Sequence, residues 1–180
     1  MAPGNTSDSA WIDGSTNCVG VQGALYFVKD NAQSSIYFTS RTNHACVAGT
    51  IPHPAAIDST HWGVQLVIEL ANTGTSAGIY NASTHSVTGF SFTLNGTLPS
   101  TTLAQYRVDG SATEYCEVLN SGAAHYDMPI SAGHPNCWSG TPGTATPDPS
   151  KLTRFEFVVP ANTASDVTFD FCVEGLTAIK

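Results

Sequence analysis

Trp62-Gly-Val-Gln-Leu-Val-Ile-Glu-Leu70 alternates from its first residue to its last. Trp62, Val64, Leu66, Ile68 and Leu70 fall on one side, and Gly63, Gln65, Val67 and Glu69 on the other. Side chains leave a pleated backbone in opposite directions by turns, so a period of two marks a half-buried strand. The pattern predicts a strand here, with Trp62 in the core register. Working outward, the same period predicts strands over Val19 to Lys29, Ser35 to Thr39, Val87 to Leu94, Leu103 to Asp109, Glu114 to Leu119 and His125 to Ile130. Near the end, Phe155, Phe157 and Val159 alternate with Arg154, Glu156 and Val158. Val167, Phe169, Phe171 and Val173 then alternate with Thr168, Asp170, Cys172 and Glu174. Turn signals separate the runs: Asn95-Gly96, Asp109-Gly110 and the Pro-rich stretch from Thr141 to Ser150. About nine strands at regular spacing, with no helical period, predict an all-β, two-sheet antiparallel jelly-roll sandwich.

The 180 residues suit one domain. Residues 1–10 read as a flexible leader and residues 11–180 as the sandwich. Charged residues are only 11% of the chain, less than half the usual share, and Ser, Thr, Asn and Gly supply the polarity. The net charge of −8 leaves no basic patch for nucleic acid. An anionic membrane surface would repel the chain, and no apolar run reaches the roughly 18 residues that a span needs. No membrane insertion is expected. Five cysteines, Cys18, Cys46, Cys116, Cys137 and Cys172, show no C-x-x-C spacing. Cysteines scattered in this way point to an oxidising compartment, and so to a secreted or cell-surface protein. Cys116 and Cys137 would close a short loop and are the favoured pair; the sequence leaves the other pairings open. Met1 reads as a start placed on a mature sequence whose export signal has been removed.

A family resemblance rests on pieces in a fixed order. They are Asn17-Cys-Val-Gly-Val-Gln-Gly-Ala-Leu-Tyr26, Trp62-Gly-x-x-Leu66, Tyr80-Asn-Ala-Ser83, Val87-Thr-Gly-Phe-Ser-Phe92, Gln105-Tyr-Arg-Val108, Tyr115-Cys116, Cys137-Trp138 and Phe169-Asp-Phe-Cys-Val-Glu-Gly-Leu176. Together they resemble secreted bacterial carbohydrate-binding modules of the galactose-binding-like jelly-roll kind, family 11 included. The resemblance spans residues 11–178. It implies a non-catalytic module that binds a polysaccharide, a β-glucan among the candidates. It also implies a structural calcium between the first loop and the last strand, with Asp13 and Glu174 at the matching positions and Asp30 a further candidate. Asn81 and Glu174 stand where the family often has Asp. Cys18 is an addition to the pattern, which makes it the candidate unpaired thiol.

Sugar binding on a sandwich needs aromatic rings to stack on pyranose faces, with amides, carboxylates and arginines for the hydroxyls. The alternation leaves Gln65, Glu69, Ser91, Thr93, Gln105, Arg107, Glu156 and Asp170 on polar faces. This set reads either as a groove floor or as a wetted outer face holding an internal ion pair. Arg107 is the leading contact, because a mid-strand guanidinium can fork to two hydroxyls. Trp138, following Cys137 in a loop, reads as a sugar platform or as a plug over one end of the sandwich. Tyr80 and Tyr126 are further loop or edge candidates. The six histidines show neither H-x-H nor H-x-x-x-H spacing, and no nucleophile motif such as G-x-S-x-G is present. The alternative function is a structural or adhesive module of an extracellular fibre, self-associating through loops or an edge strand.

Overall fold

A computed structural model describes residues 9–30, 35–41, 44–72, 74, 78–120, 124–138 and 141–180. Most of the expected leader, residues 1–8, lies outside the described residues. Among the described residues there are eleven strands: β1 (Ser9–Ile12), β2 (Gly23–Lys29), β3 (Ser35–Arg41), β4 (His44–Ile51), β5 (Gly63–Glu69), β6 (Gly89–Thr97), β7 (Leu103–Val108), β8 (Glu114–Val118), β9 (His125–Pro129), β10 (Leu152–Pro160) and β11 (Val167–Ile179). Three short 3-10 turns, Gly14–Thr16, Ala82–His85 and Ile130–Ala132, are the only helical pieces among them. The strands form two sheets, ordered β1-β2-β5-β10-β7-β8 and β3-β4-β11-β6-β9. Every ladder between them is antiparallel. The architecture is the two-sheet jelly-roll sandwich.

Alternation decides which residues fill the space between the sheets. From the six-stranded sheet come Val64, Leu66, Ile68, Tyr106, Phe155, Phe157 and Val159; from the five-stranded sheet come Phe38, Val47, Phe90, Phe92, Phe169 and Phe171. Phe157 meets Phe92 edge-on at 4.9 Å between ring centroids and lies 5.2 Å from Phe155. Such tilted pairs set the edge of one ring against the face of another. The Tyr106 hydroxyl, deep among these rings, donates to the Met128 carbonyl at 2.6 Å, which ties the two sheets together at that point.

Several sequence expectations are corrected. Val19 to Gln22 is not strand; the Asn17 side chain folds this stretch by accepting from the Val19 and Val21 amides and donating to the Val21 carbonyl. Trp62 precedes β5, half-buried and outside the core cluster. β4 was not expected, because Ala45 and Gly49 dilute its apolar face. Asn95-Gly96 is no turn: both residues continue β6 and pair with Cys172 and Phe171. Gly96 has φ 113°, and a β-carbon there would lie 2.1 Å from the Asp170 carbonyl oxygen. Only glycine fits this close approach of two strands. β1 begins at Ser9, inside the segment read as leader.

Two disulfides brace the sandwich. Cys46–Cys172 joins directly opposite residues of β4 and β11 on the outer face of the five-stranded sheet. Cys116–Cys137 joins β8 to the loop that follows β9. Cys18 is free and exposed.

Two predictions follow from this packing. Phe157→Ala removes a fully buried ring and is expected to lower unfolding free energy by about 3–5 kcal/mol in a urea titration. In the loop before β5, Asp58 accepts from the Thr60 amide and hydroxyl and from His61. These bonds, Thr60 first, lower its pKa to about 2. The carboxylate is favoured by folding, so its contribution is full above the ordinary aspartate range and is lost as pH falls through about 2. A carbon-detected NMR titration should therefore find Asp58 still ionised at pH 3.

Candidate functional site

Antiparallel pairing puts directly opposite residues on the same face of a sheet. Applied strand by strand to the outer face of the six-stranded sheet, that rule builds one row across all six strands. Trp11 on β1 pairs with Ala24 on β2. The β2–β5 register, carried one residue on, sets Ala24 beside Glu69, whose Oε2 lies 3.4 Å from the Ala24 amide. Glu69 pairs with Arg154, Arg154 with Arg107, and Arg107 with Glu114 on β8. At the end of the row the Trp138 indole N–H donates to Glu114 Oε2 at 3.0 Å. The row thus reads Trp11, Ala24, Glu69, Arg154, Arg107, Glu114 and Trp138. Its two tryptophans are 50% and 55% exposed, among the most exposed large apolar side chains described.

A second row lies alongside: Tyr26, Val67, Glu156, Gln105 and Cys116. Glu156 and Gln105 are fully buried. The Gln105 amide nitrogen donates to Glu156 Oε2, which also accepts from Arg107 Nε at 3.3 Å. Arg107 Nη2 then reaches Glu114 Oε1 at 2.5 Å, and Arg154 Nη1 stands 3.9 Å from Glu156 Oε1. Glu69 is also nearly buried; it accepts from the Tyr26 hydroxyl at 3.3 Å and from the Asn72 amide at 2.5 Å. Burial is the main cause that raises the Tyr26 phenol above its ordinary pKa, with Arg154 pulling it down and Glu69 pushing it up. The phenol therefore keeps its proton and donates a hydrogen bond to Glu69.

A third row, Val28, Gln65, Val158, Leu103 and Val118, is apolar apart from Gln65. Val158 and Leu103 join Cys116 in a small patch, with Cys137 against it. That patch shows what the face could have been throughout. A buried ion pair is seldom better for stability than apolar side chains of the same volume, because both charges lose their water. Gln105 Oε1 and Glu156 Oε1 in addition accept no hydrogen bond among the described residues, a cost of about 1–3 kcal/mol for each such group. Polar groups kept at that cost, between two exposed tryptophans, mark this face as the candidate site.

The residues expected from sequence separate into three places. Arg107, Gln105, Glu156 and Trp138 come together here. Tyr80 does not: it is core, with its hydroxyl donating to the Val19 carbonyl at 2.7 Å and its ring stacked on His85. Tyr126 belongs to the other sheet and stacks on Phe92, pointing toward the core. Asp170 is exposed on the outer face of the five-stranded sheet. Sequence reasoning missed Trp11, Tyr26, Arg154 and Glu114 as members. The Ala10-Trp11-Ile12 alternation is too short to read alone, and the rest depend on which strands are neighbours.

The three carboxylates expected to hold calcium are not brought together. Asp13 caps the Gly14–Thr16 turn by accepting from the Ser15 amide at 2.8 Å. Asp30 lies beyond the opposite end of β2 and accepts from the Gly63 amide. Glu174 sits on the other sheet and accepts from Asn95 at 2.8 Å. The three carboxylates stand apart and each has its own donor. Among the described residues no group of three or more His, Cys, Asp or Glu side chains is placed to hold a metal.

Removing Arg107 strands a buried carboxylate. Arg107→Met is expected to cost about 3 kcal/mol in a denaturant titration, and adding Glu156→Gln should recover most of it. Equal stability of the single and double variants would show that the pair is not coupled.

No protein-family model matches the chain, and no curated protein matches it. Among solved structures it is similar to the family 11 carbohydrate-binding module of the cellulosomal cellulase Lic26A-Cel5E of Clostridium thermocellum. The TM-score is 0.48, with 13% identity over 96% of this chain and 94% of that one. It is also similar to the solution structure of CtCBM11, with TM-score 0.46 and 14% identity over 95% of this chain and 94% of that one. The functional reading rests on the side chains described above.

Proposed function

We propose that this chain is a non-catalytic carbohydrate-binding module that takes a linear polysaccharide, with a β-glucan as first candidate, on the outer face of the six-stranded sheet. The row from Trp11 to Trp138 carries this reading. Five interstrand steps span roughly 24 Å, room for about five β-linked pyranose units at about 5 Å each. An indole at each end offers a face for a sugar ring, and the partly exposed Arg154, Arg107 and Glu114 between them offer donors and an acceptor to hydroxyls. The two arginines of the face stand among three glutamates, Glu69, Glu114 and Glu156, in a chain of net charge −8. That balance favours a neutral glycan over an acidic one.

The same geometry argues against hydrolysis. A glycosidase needs one carboxyl free to protonate the leaving oxygen and another free to attack or to activate water. Glu156 is fully buried and bound by Gln105 and Arg107, and Glu69 is held by Tyr26 and Asn72. The two disulfides support an oxidising, extracellular setting for a bacterial module. A second reading, a self-associating adhesive module, draws on β3, a seven-residue edge strand with Tyr37 exposed.

Affinity electrophoresis against β-glucan, xylan, mannan and polygalacturonate tests the proposal. Retardation by a neutral glycan is expected, weakened about tenfold by Trp11→Ala or Trp138→Ala singly and lost in the double variant. With Asp13, Asp30 and Glu174 apart, a chelator should leave the retardation unchanged. If folded protein is retarded by none of the glycans, the proposal falls. Concentration-dependent sedimentation would then favour the adhesive reading.

A further inference from the structure

Trp138 is more than half exposed and belongs to neither apolar cluster among the described residues, so core packing is not what fixes its ring. Two other restraints do. One residue earlier, Cys137 is bonded to Cys116, which is fully buried in the second row opposite Gln105. At the far edge of the indole, Nε1–H donates to Glu114, itself fixed by Arg107. The loop backbone is also anchored, with Cys116 N–H donating to the His134 carbonyl at 2.9 Å and His134 N–H donating back at 3.2 Å.

We propose that the Cys116–Cys137 disulfide and Glu114 are positioning elements for the Trp138 platform, so that reducing this one disulfide weakens glycan binding while the sandwich persists. The binding part rests on the carbohydrate reading above; the positioning part does not. With a dithiol, one thiolate attacks Cys137 Sγ, which is only partly buried, and Cys116 leaves as the thiolate. The reductant's second thiol then displaces Cys137 and closes its own ring. The protein disulfide gains two electrons and two protons, and the dithiol becomes a cyclic disulfide. The loop keeps its backbone pairing to Cys116 but loses the covalent tie beside the tryptophan. Cys46–Cys172, on the opposite sheet, has no contact with this face and serves as the control.

The test follows Trp138 directly, by fluorescence anisotropy and near-ultraviolet circular dichroism, in a Trp11→Phe/Trp62→Phe background where it is the only tryptophan. Cys116→Ala/Cys137→Ala and Glu114→Ala are each expected to lower the anisotropy and erase the ring signal, with the far-ultraviolet spectrum unchanged. Glu114→Gln, which still accepts from the indole, and Cys46→Ala/Cys172→Ala should keep both. On glycan gels with the native tryptophans, Cys116→Ala/Cys137→Ala should match the loss of about tenfold set for Trp138→Ala. An unchanged ring signal in the cysteine pair overturns the proposal. If that pair fails to fold, the Glu114→Ala and Glu114→Gln contrast decides it: equal signals overturn the positioning role. Should the oxidised native protein bind no glycan, the carbohydrate reading fails while the ring signal still decides the positioning claim.

Discussion

The carboxylate of Glu156 lies fully buried at the centre of a sheet, and the functional face is organised by what that charge requires. An ionised group taken out of water needs charge partners and hydrogen bonds. Here Gln105 and Arg107 provide them from the neighbouring strand β7, and Arg154 stands two residues away on β10, the strand of Glu156 itself. Arg107, once drawn to Glu156, is placed to hold Glu114, and Glu114 is placed to hold the Trp138 indole. A buried charge thus fixes the orientation of an exposed ring two strands away.

The strand that carries Glu156 also carries the core. On β10, Phe155, Phe157 and Val159 point between the sheets while Arg154, Glu156 and Val158 point outward. Slipping this strand by one residue would exchange the two sets, burying an arginine among phenylalanines and wetting the rings. The aromatic pairs with Phe92 and Tyr106 therefore lock the register of the outer row as well. Stability and site geometry are specified by the same strand, one on each face.

Alternation made β5, β10 and most of β11 legible, because each has strong apolar residues at every second position. It also sorted Gln105, Arg107 and Glu156 onto a polar face. β4 escaped because alanine and glycine carry little hydrophobic contrast. Asn95-Gly96 was misread as a turn because a glycine required by a close strand approach looks the same in sequence as one required by a turn. Tyr80 reads as a loop or edge candidate because its partner, the Val19 carbonyl, lies far away along the chain. The row itself was not legible at all. Trp11, Glu69, Arg154, Arg107, Glu114 and Trp138 become neighbours only through the strand order, and that order is decided by packing between distant segments.

The central claim is that one ligand spans the face from Trp11 to Trp138. The most direct measurement is an NMR titration of the three indole N–H resonances with a neutral β-glucan oligosaccharide of about five units, matching the five interstrand steps. The account predicts that the Trp11 and Trp138 signals shift together along one binding curve while Trp62 stays still. Movement of neither, or of Trp62 and the five-stranded sheet instead, would contradict it.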